Sequence, residues 1–202
     1  FMHRPTGAVN PDAPLGHHIG QDVGHISSTV LGASLRLGGT VIEGSTFNGT
    51  EPEPTKIDLP LGRPNSFAFR LIQEVNPQWT VSASVARIKN PEPHEPDIDH
   101  EWRSSASLYN QIPFEGWTLH NALIYGAVTN YDHAKILNSV GEEFALQGDR
   151  PKVWGRFEVL QRTAGELEVS SAADQNRGRW IAVATLGYTH AVARWDGLEL
   201  GL

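Results

Sequence analysis

The chain has 202 residues, a net charge of −7 and no cysteine. No stretch approaches the roughly 20 consecutive apolar residues of a membrane helix, so a helical membrane protein is excluded. The acidic excess argues against nucleic acid as a partner, and the absence of cysteine excludes disulfide frameworks, thiolate zinc sites and cysteine nucleophiles.

Apolar and polar residues alternate along much of the chain, which predicts β-strands rather than helices. The 20 glycines and 13 prolines that punctuate the sequence also disfavour helices. Alternation is clear in 66–75, 79–87, 102–109, 117–127 and 152–160. It is weaker in 24–36, 39–47, 136–146, 178–190 and 197–202, and in 136–146 Glu142 falls in phase with the apolar positions. We therefore expect about ten antiparallel strands.

The connections between these strands alternate in length. Tight or short links are predicted at 37–38, 76–78, 110–116, 147–150 and 191–196, and longer ones at 48–65, 89–101, 128–135 and 163–177. Short turns at one rim and long loops at the other are typical of outer-membrane barrels. The sequence thus predicts an all-β, antiparallel up-and-down transmembrane β-barrel. Residues 1–202 form a single barrel domain or part of one, with 1–23 as an extracellular or lumenal loop segment.

Tryptophan positions follow the same alternation. Trp79, Trp117 and Trp154 each follow a short turn, whereas Trp102 and Trp180 each follow a long loop. Indole rings prefer the headgroup level of a bilayer, so these residues are expected to form two interfacial girdles. In a soluble domain the same residues would cap the ends of a core.

The period-two pattern separates two faces. We expect one face to meet lipid through Phe67, Phe69, Val81, Val85, Leu119, Leu123 and Phe157. The other is expected to line a lumen through Arg70, Glu74, Arg103, His120, Arg156 and Glu158. Mixed charges of this kind would pass small polar solutes without a strong ion preference, which predicts a porin-like transport function.

A histidine-rich segment near the start of the chain is a candidate metal site. Its ligands would be His17, His18, Asp22 and His25, because neutral imidazoles suit zinc, copper or nickel. Adjacent histidines on a strand point to opposite faces, so His17 and His18 chelate together only in a turn. The alternative is a polar loop entering a strand. A divalent metal is the one cofactor that the residues suggest.

The proline-rich segment 90–101 concentrates acidic side chains, and the similar segment 51–58 does so to a lesser degree. Their oxygen ligands suit calcium, or divalent ions that bridge lipopolysaccharide. The alternative is a solvated acidic loop, since neither segment has the spacing of a known calcium loop.

Catalytic motifs are absent from the sequence. It contains no G-x-S-x-G elbow, Walker loop or H-E-x-x-H pair. A Ser–His pair of the kind that barrel lipases use could be imitated by His120 with Ser105 or Ser107 on the neighbouring strand. The prediction is that the protein is not an enzyme.

Five short segments stand out in the first half of the chain: Phe1-Met2-His3-Arg4-Pro5, Ala13-Pro14-Leu15-Gly16-His17-His18, Phe47-Asn48-Gly49-Thr50-Glu51-Pro52, Asn76-Pro77-Gln78-Trp79-Thr80 and Ile88-Lys89-Asn90-Pro91-Glu92. These segments resemble a family of uncharacterised proteobacterial outer-membrane β-barrel proteins. Members of that family are longer, with a signal peptide and additional strands on both sides. The resemblance implies a fragment of a longer chain in a Gram-negative outer membrane and a link to metal handling, but assigns no activity to any residue.

Two other classes of function stay open at this point. One is a soluble all-β module that binds carbohydrate through exposed Trp and Tyr side chains, whose apolar side chains would converge on an interior. The other is a barrel enzyme of the lipase type. The leading reading has outer-membrane lipid, small polar solutes or metal ions as partners.

Overall fold

The computed structural model describes residues 15–21, 27–50, 61–91, 97–130, 134–165, 167, 169, 176–195 and 198–201. In these residues the protein is all-β, as predicted, apart from a short 3-10 helix at Leu15–His17. No helix among them is long and apolar enough to cross a membrane. The ten strands are β1 Ser28–Leu37, β2 Thr40–Asn48, β3 Ser66–Asn76, β4 Trp79–Lys89, β5 His100–Phe114, β6 Trp117–Thr129, β7 Leu137–Gln147, β8 Pro151–Arg162, β9 Arg179–Trp195 and β10 Leu198–Gly201.

The strands form one antiparallel sheet in sequence order, β1 to β10, which confirms the up-and-down topology. The expected closure into a barrel is not present in the described residues, where β1 and β10 occupy opposite ends of the order. Closure requires the first and last strands to pair along their length. The four residues of β10 are too few to cover the ten of β1.

Connections alternate between short and long as predicted. Residues 38–39, 77–78, 115–116, 148–150 and 196–197 form the short links, and 49–65, 90–99, 130–136 and 163–178 the long ones. Because neighbouring strands are antiparallel, all short links leave one end of the sheet, the short-turn end, and all long ones leave the other, the long-loop end. Local backbone geometry fits the turns: Glu115 and Gly116 both have positive φ (43° and 81°), as a type I′ hairpin turn requires.

Strand β5 extends beyond its predicted bounds of 102–109. Asn110, Gln111 and Pro113 are residues typical of turns, which led to the shorter prediction. In the structure Ile112 pairs with Leu119 and Phe114 with Trp117, so the apolar positions continue to the hairpin turn. The poorest predicted strand, 136–146, corresponds to β7 despite Glu142.

Burial divides the sheet into two faces of opposite character. The register places Leu35, Ile42, Leu71, Tyr125 and Val140 in one row across the sheet, and all are exposed. Another row, on the opposite face, includes Glu143 and Arg156, and both are buried. The sheet therefore exposes an apolar face and buries a polar face, the reverse of an ordinary soluble domain.

Small apolar clusters lie on the polar face toward the long-loop end. Phe47, Ala68, Ala86 and Ile88 form one. The other contains Ile19, Val128, Ala134, Leu137 and Leu160, with Ile181 packed against it. They bury few side chains for a sheet of this size, so the fold has no conventional hydrophobic core in the described residues.

Gly187→Ala is expected to destabilise the sheet. Trp154 packs over Gly187 on the polar face, and a Cβ at position 187 would overlap the indole ring. Relieving the overlap moves a large ring, which typically costs about 1–3 kcal/mol. The free energy of unfolding, measured in urea by tryptophan fluorescence, should fall by that amount. Gly32→Ala is the control, because its Cβ would meet only ordinary van der Waals contacts; an equal loss in both variants would contradict the packing.

Candidate functional site

Three charged side chains form a buried cluster on the polar face of β7 and β8. Arg156 Nε donates to Glu158 Oε2 at 2.8 Å, and Arg156 Nη1 donates to Glu143 Oε1 at 3.3 Å. The side chains are only 1–3% exposed. Strand geometry explains the grouping: Arg156 and Glu158 are two residues apart and share a face, and Glu143 lies directly across from Arg156. One guanidinium thus faces two carboxylates.

Further ion pairs follow the same face across the sheet. Glu101 and Arg103 on β5 are fully buried and pair at 3.1 Å. Toward β1 the pairs are more open: Arg70 binds Glu43 at 2.5 Å with both side chains about one-fifth exposed. The ion pairs on β5, β7 and β8 are therefore more deeply buried than the pair between β2 and β3.

This crossing segment consists of residues 15–21. The amides of Leu15 and Gly16 donate to the carboxylate of Glu158 at 3.2 and 2.9 Å. They supply hydrogen bonds to the carboxylate beyond the one it takes from Arg156. Ser139 on β7 donates to the carbonyl of Ile19 at 2.8 Å. The segment is therefore bound to the polar face by its backbone.

All six residues predicted to line a lumen lie on the polar face according to the strand register: Arg70, Glu74, Arg103, His120, Arg156 and Glu158. Their environments differ. Glu74 is exposed and pairs with Arg36 at 2.9 Å, whereas Arg103 is fully buried. His120 Nδ1 lies 3.0 Å from the hydroxyl of Tyr109. That these residues line a water-filled lumen stays a prediction.

The predicted metal ligands are only partly described. His17 and His18 lie in the 3-10 helix and the turn after it, with ring centroids 4.0 Å apart, so the required turn is present. Asp22 and His25 lie outside the described residues. In the part of the chain that the structure covers, no group of three or more metal-binding side chains comes together. The metal site stays a prediction.

The proposed Ser–His pair is wrong. His120 lies opposite Gln111, whereas Ser105 and Ser107 lie opposite Gly126 and Ile124. Position 111 is four residues from Ser107, or roughly 13 Å along the strand, too far for a hydrogen bond. Ser105 instead donates to the carbonyl of Gly20. His120 and the two serines therefore share one face of the sheet but lie at different distances along the strands.

The acidic connection between β4 and β5 is described at its two ends. Asp97, Asp99, His100 and Asn130, with Ile98, line a recess of about 320 Å³ at the long-loop end. Asp99 contacts the His100 ring at 3.1 Å and Arg87 at 3.8 Å. Residues 92–96 lie outside the described residues, and calcium binding stays a prediction.

The contacts of several residues with the crossing segment were not predicted from sequence, including those of Ser105, which was considered only as a partner of His120. Ser105 and Ser139 are buried and bind the crossing segment, and Gly126 leaves the space that the Ile19 carbonyl and Gln21 amide occupy. Their only sequence signal is that they fall in phase with arginine and glutamate along the strands. Serine and glycine in such positions are common, so the signal does not identify their partner.

Tryptophans stand at both ends of the sheet, as predicted. Trp79 and Trp117 lie at the short-turn end, and Trp102 and Trp180 at the long-loop end. Trp154 does not belong to either girdle, because it lies on the polar face and its Nε1 is 3.4 Å from the hydroxyl of Thr189. Trp154 is two residues from Lys152 and two from Arg156, so the three side chains share the polar face of β8.

Glu142 interrupts the apolar face. It lies midway along β7, between Leu123 and Phe157 on the neighbouring strands, and is exposed. Away from the strand ends it is the one Asp, Glu, Lys or Arg on that face among the described residues. Its partners Leu123 and Phe157 were both expected to face lipid.

Comparison with known proteins identified no relative. No family model matches the chain, and neither a curated protein nor a solved structure does. The function proposed below therefore rests on the geometry of the two faces.

Arg156→Met is expected to be strongly destabilising, because it removes the guanidinium that pairs with the buried carboxylates of Glu143 and Glu158. Breaking a buried ion pair from one side costs about 3–5 kcal/mol. Urea unfolding followed by tryptophan fluorescence measures the loss. The matched control is Arg36→Met, which breaks an Arg–Glu pair whose side chains are 59% and 47% exposed; that change should cost about 0–1 kcal/mol. Similar losses in the free energy of unfolding for the two variants would show that the buried cluster stabilises the fold no more than the exposed pair does.

Proposed function

We propose that this sheet is part of an outer-membrane β-barrel whose polar face lines the interior and whose apolar face meets lipid. The observation that carries the proposal is the inverted burial: the apolar face is exposed while Arg103, Glu143 and Glu158 are 0–1% exposed. Lipid is the solvent in which such an exposed face is favourable. We further propose a pore for small polar solutes, because the interior carries both signs of charge.

Hydrophobic burial gives the energetic reason. Phe69, Leu123, Phe157 and Leu186 are 50–75% exposed and lie on one face. Each Å² of apolar surface left in water costs about 25 cal/mol. Soluble monomers rarely expose contiguous apolar patches beyond a few hundred Å², and here the apolar face continues across the sheet. Transfer of that face into lipid removes the cost.

The height of the apolar face matches a bilayer. Trp102 marks one end of β5 and Phe114, which pairs with Trp117, marks the other, twelve residue steps farther along the strand. At about 3.3 Å per residue and a strand tilt of about 40°, this height is roughly 30 Å. A hydrocarbon core is also about 30 Å thick. The tryptophans at the two ends would then lie at the headgroup levels.

Backbone hydrogen bonding sets a further requirement. Strands β2 to β9 pair on both sides, whereas β1 and β10 each have one free edge in the described residues. Unpaired backbone groups are unfavourable in hydrocarbon, so strands span membranes only in closed sheets. The proposal therefore includes pairing of both free edges in the membrane.

The two rival functions have less support. A soluble carbohydrate-binding module needs its large apolar side chains to converge on an interior, yet these side chains are exposed. A barrel lipase needs a Ser–His pair, and His120 is distant from both candidate serines. The inverted sheet favours the membrane proposal over both.

The face assignment predicts that Leu71→Arg impairs assembly into membranes. Leu71 is mid-strand on the apolar face, where a lipid-facing arginine costs about 2–4 kcal/mol. Leu123 is a poorer test position, because an arginine there would pair with Glu142. The control is Thr80→Arg on the polar face, where the new cation lies across from Glu74. Heat-modifiable gel migration of membrane extracts measures assembly, and equal assembly of both variants would refute the assignment.

The two ends of the sheet predict opposite sides of the membrane. Long loops of outer-membrane barrels are extracellular and short turns periplasmic. The chain has no native cysteine, so Arg63→Cys in a long connection and Gln78→Cys in a short one each give a single label site. A membrane-impermeant maleimide on intact cells should label only the first. Labelling of position 78 alone would invert the topology.

A further inference from the structure

We propose that residues 15–21 act as a plug, a segment of the chain that occupies the polar face over β5–β8 and blocks solute passage along it. This inference rests on the proposed membrane barrel and adds a closed state to it. The plug contacts four consecutive strands, from Ser105 on β5 to Arg162 on β8.

The sheet recognises the plug through main-chain atoms. Glu158 accepts from two successive amides, those of Leu15 and Gly16, and Arg162 Nη2 donates to the Leu15 carbonyl at 3.0 Å. The hydroxyls of Ser139 and Ser105 donate to successive carbonyls, those of Ile19 and Gly20. Acceptors on the sheet thus meet amides, and donors meet carbonyls, at both ends of the segment, residues 15–16 and 19–20.

Two glycines allow this close approach. Gly20 has φ +78° and lies against the backbone of Ala127, which a Cβ would overlap. On the sheet, Gly126 leaves the space filled by the Ile19 carbonyl and the Gln21 amide. Ile19, which precedes Gly20 in the plug, is fully buried in the apolar cluster with Val128, Leu137 and Leu160. Shape, hydrogen bonds and apolar packing therefore act at the same place.

One feature weakens the plug's attachment. The side chain of Gln21 is 4% exposed, and its Nε2 has no hydrogen-bond partner among the described residues. A buried donor without a partner lowers the stability of the docked state. The plug also adds no strand to the sheet, so its departure leaves every strand pairing intact. These properties suit a segment that docks and releases.

Docking removes the interior charges from solvent. Glu158, whose carboxylate binds the plug, is 1% exposed, and its partner Arg156 is 4% exposed. A solute moving along the polar face would have to pass these side chains. With the plug in place the path over β5–β8 is filled, and with the plug released the charges line an open path.

The test compares two glycine variants of the full-length protein extracted from membranes. Gly20→Ala forces the new Cβ into the Ala127 backbone and should release the plug. Gly116→Ala is the matched control, because its φ of +81° imposes the same backbone strain while nothing lies within 4 Å of the new Cβ. Permeability is measured as swelling of proteoliposomes in arabinose. Release is measured as labelling of Val128→Cys by a small charged methanethiosulfonate, because Val128 is fully buried in the cluster with Ile19 and makes none of the plug's hydrogen bonds described above.

The expected result is severalfold faster swelling and labelling with Gly20→Ala, and wild-type values with Gly116→Ala. Ser34→Cys, exposed in β1, should react equally in every background and serves as the labelling control. Unchanged swelling and labelling in heat-modifiable Gly20→Ala protein would overturn the plug while leaving the barrel proposal intact. If even the wild-type protein gave no heat-modifiable form, the barrel proposal would fail, and the plug as a barrier to permeation would fail with it.

Discussion

A carboxylate that is 1% exposed requires both a counter-charge and hydrogen bonds, and Glu158 obtains them from two different parts of the chain. Arg156 on its own strand supplies the charge, and the amides of Leu15 and Gly16 supply the remaining hydrogen bonds. The segment 15–21 is thereby held against the sheet although it joins no strand. Glu158 on β8 therefore determines where a segment more than 140 residues away in the sequence lies on the sheet.

The inverted burial changes what stabilises the fold. The described residues form two small apolar clusters on the polar face, and among these residues hydrogen-bonded strand pairing and buried ion pairs replace a conventional core. A buried ion pair is itself weak evidence for stability, because desolvation offsets much of its attraction. The larger favourable contribution in the proposed setting comes from the outer face, where side chains such as Phe69 and Leu186 would contact lipid. Glu142 is the exception on that face, and its carboxylate opposes insertion.

Much of the fold could be predicted because strand alternation is a local property. The strands, their two faces and the alternating connections all follow from period-two patterns and turn residues. The grouping of Trp154 with the other tryptophans is wrong, although its phase with Lys152 and Arg156 accounts for its place on the polar face. Which residues lie side by side on neighbouring strands could not be predicted, because that depends on the register between the strands. The separation of His120 from Ser107 and the contact of Glu143 with Arg156 are both consequences of register. The position of residues 15–21 depends on backbone contacts to distant strands, for which the sequence contains no periodic signal.

The two ends of the sheet differ in how much sequence change they can absorb. An insertion in a long connection lengthens a loop and leaves the strands in register, since closing a longer loop costs little. In a short link such as 115–116, where both residues have positive φ, an added residue alters the turn on which register depends. A slip of one residue would turn the apolar side chains of a strand toward the polar face of the sheet. Length variation, and any epitope displayed by engineering, therefore belongs at the long-loop end.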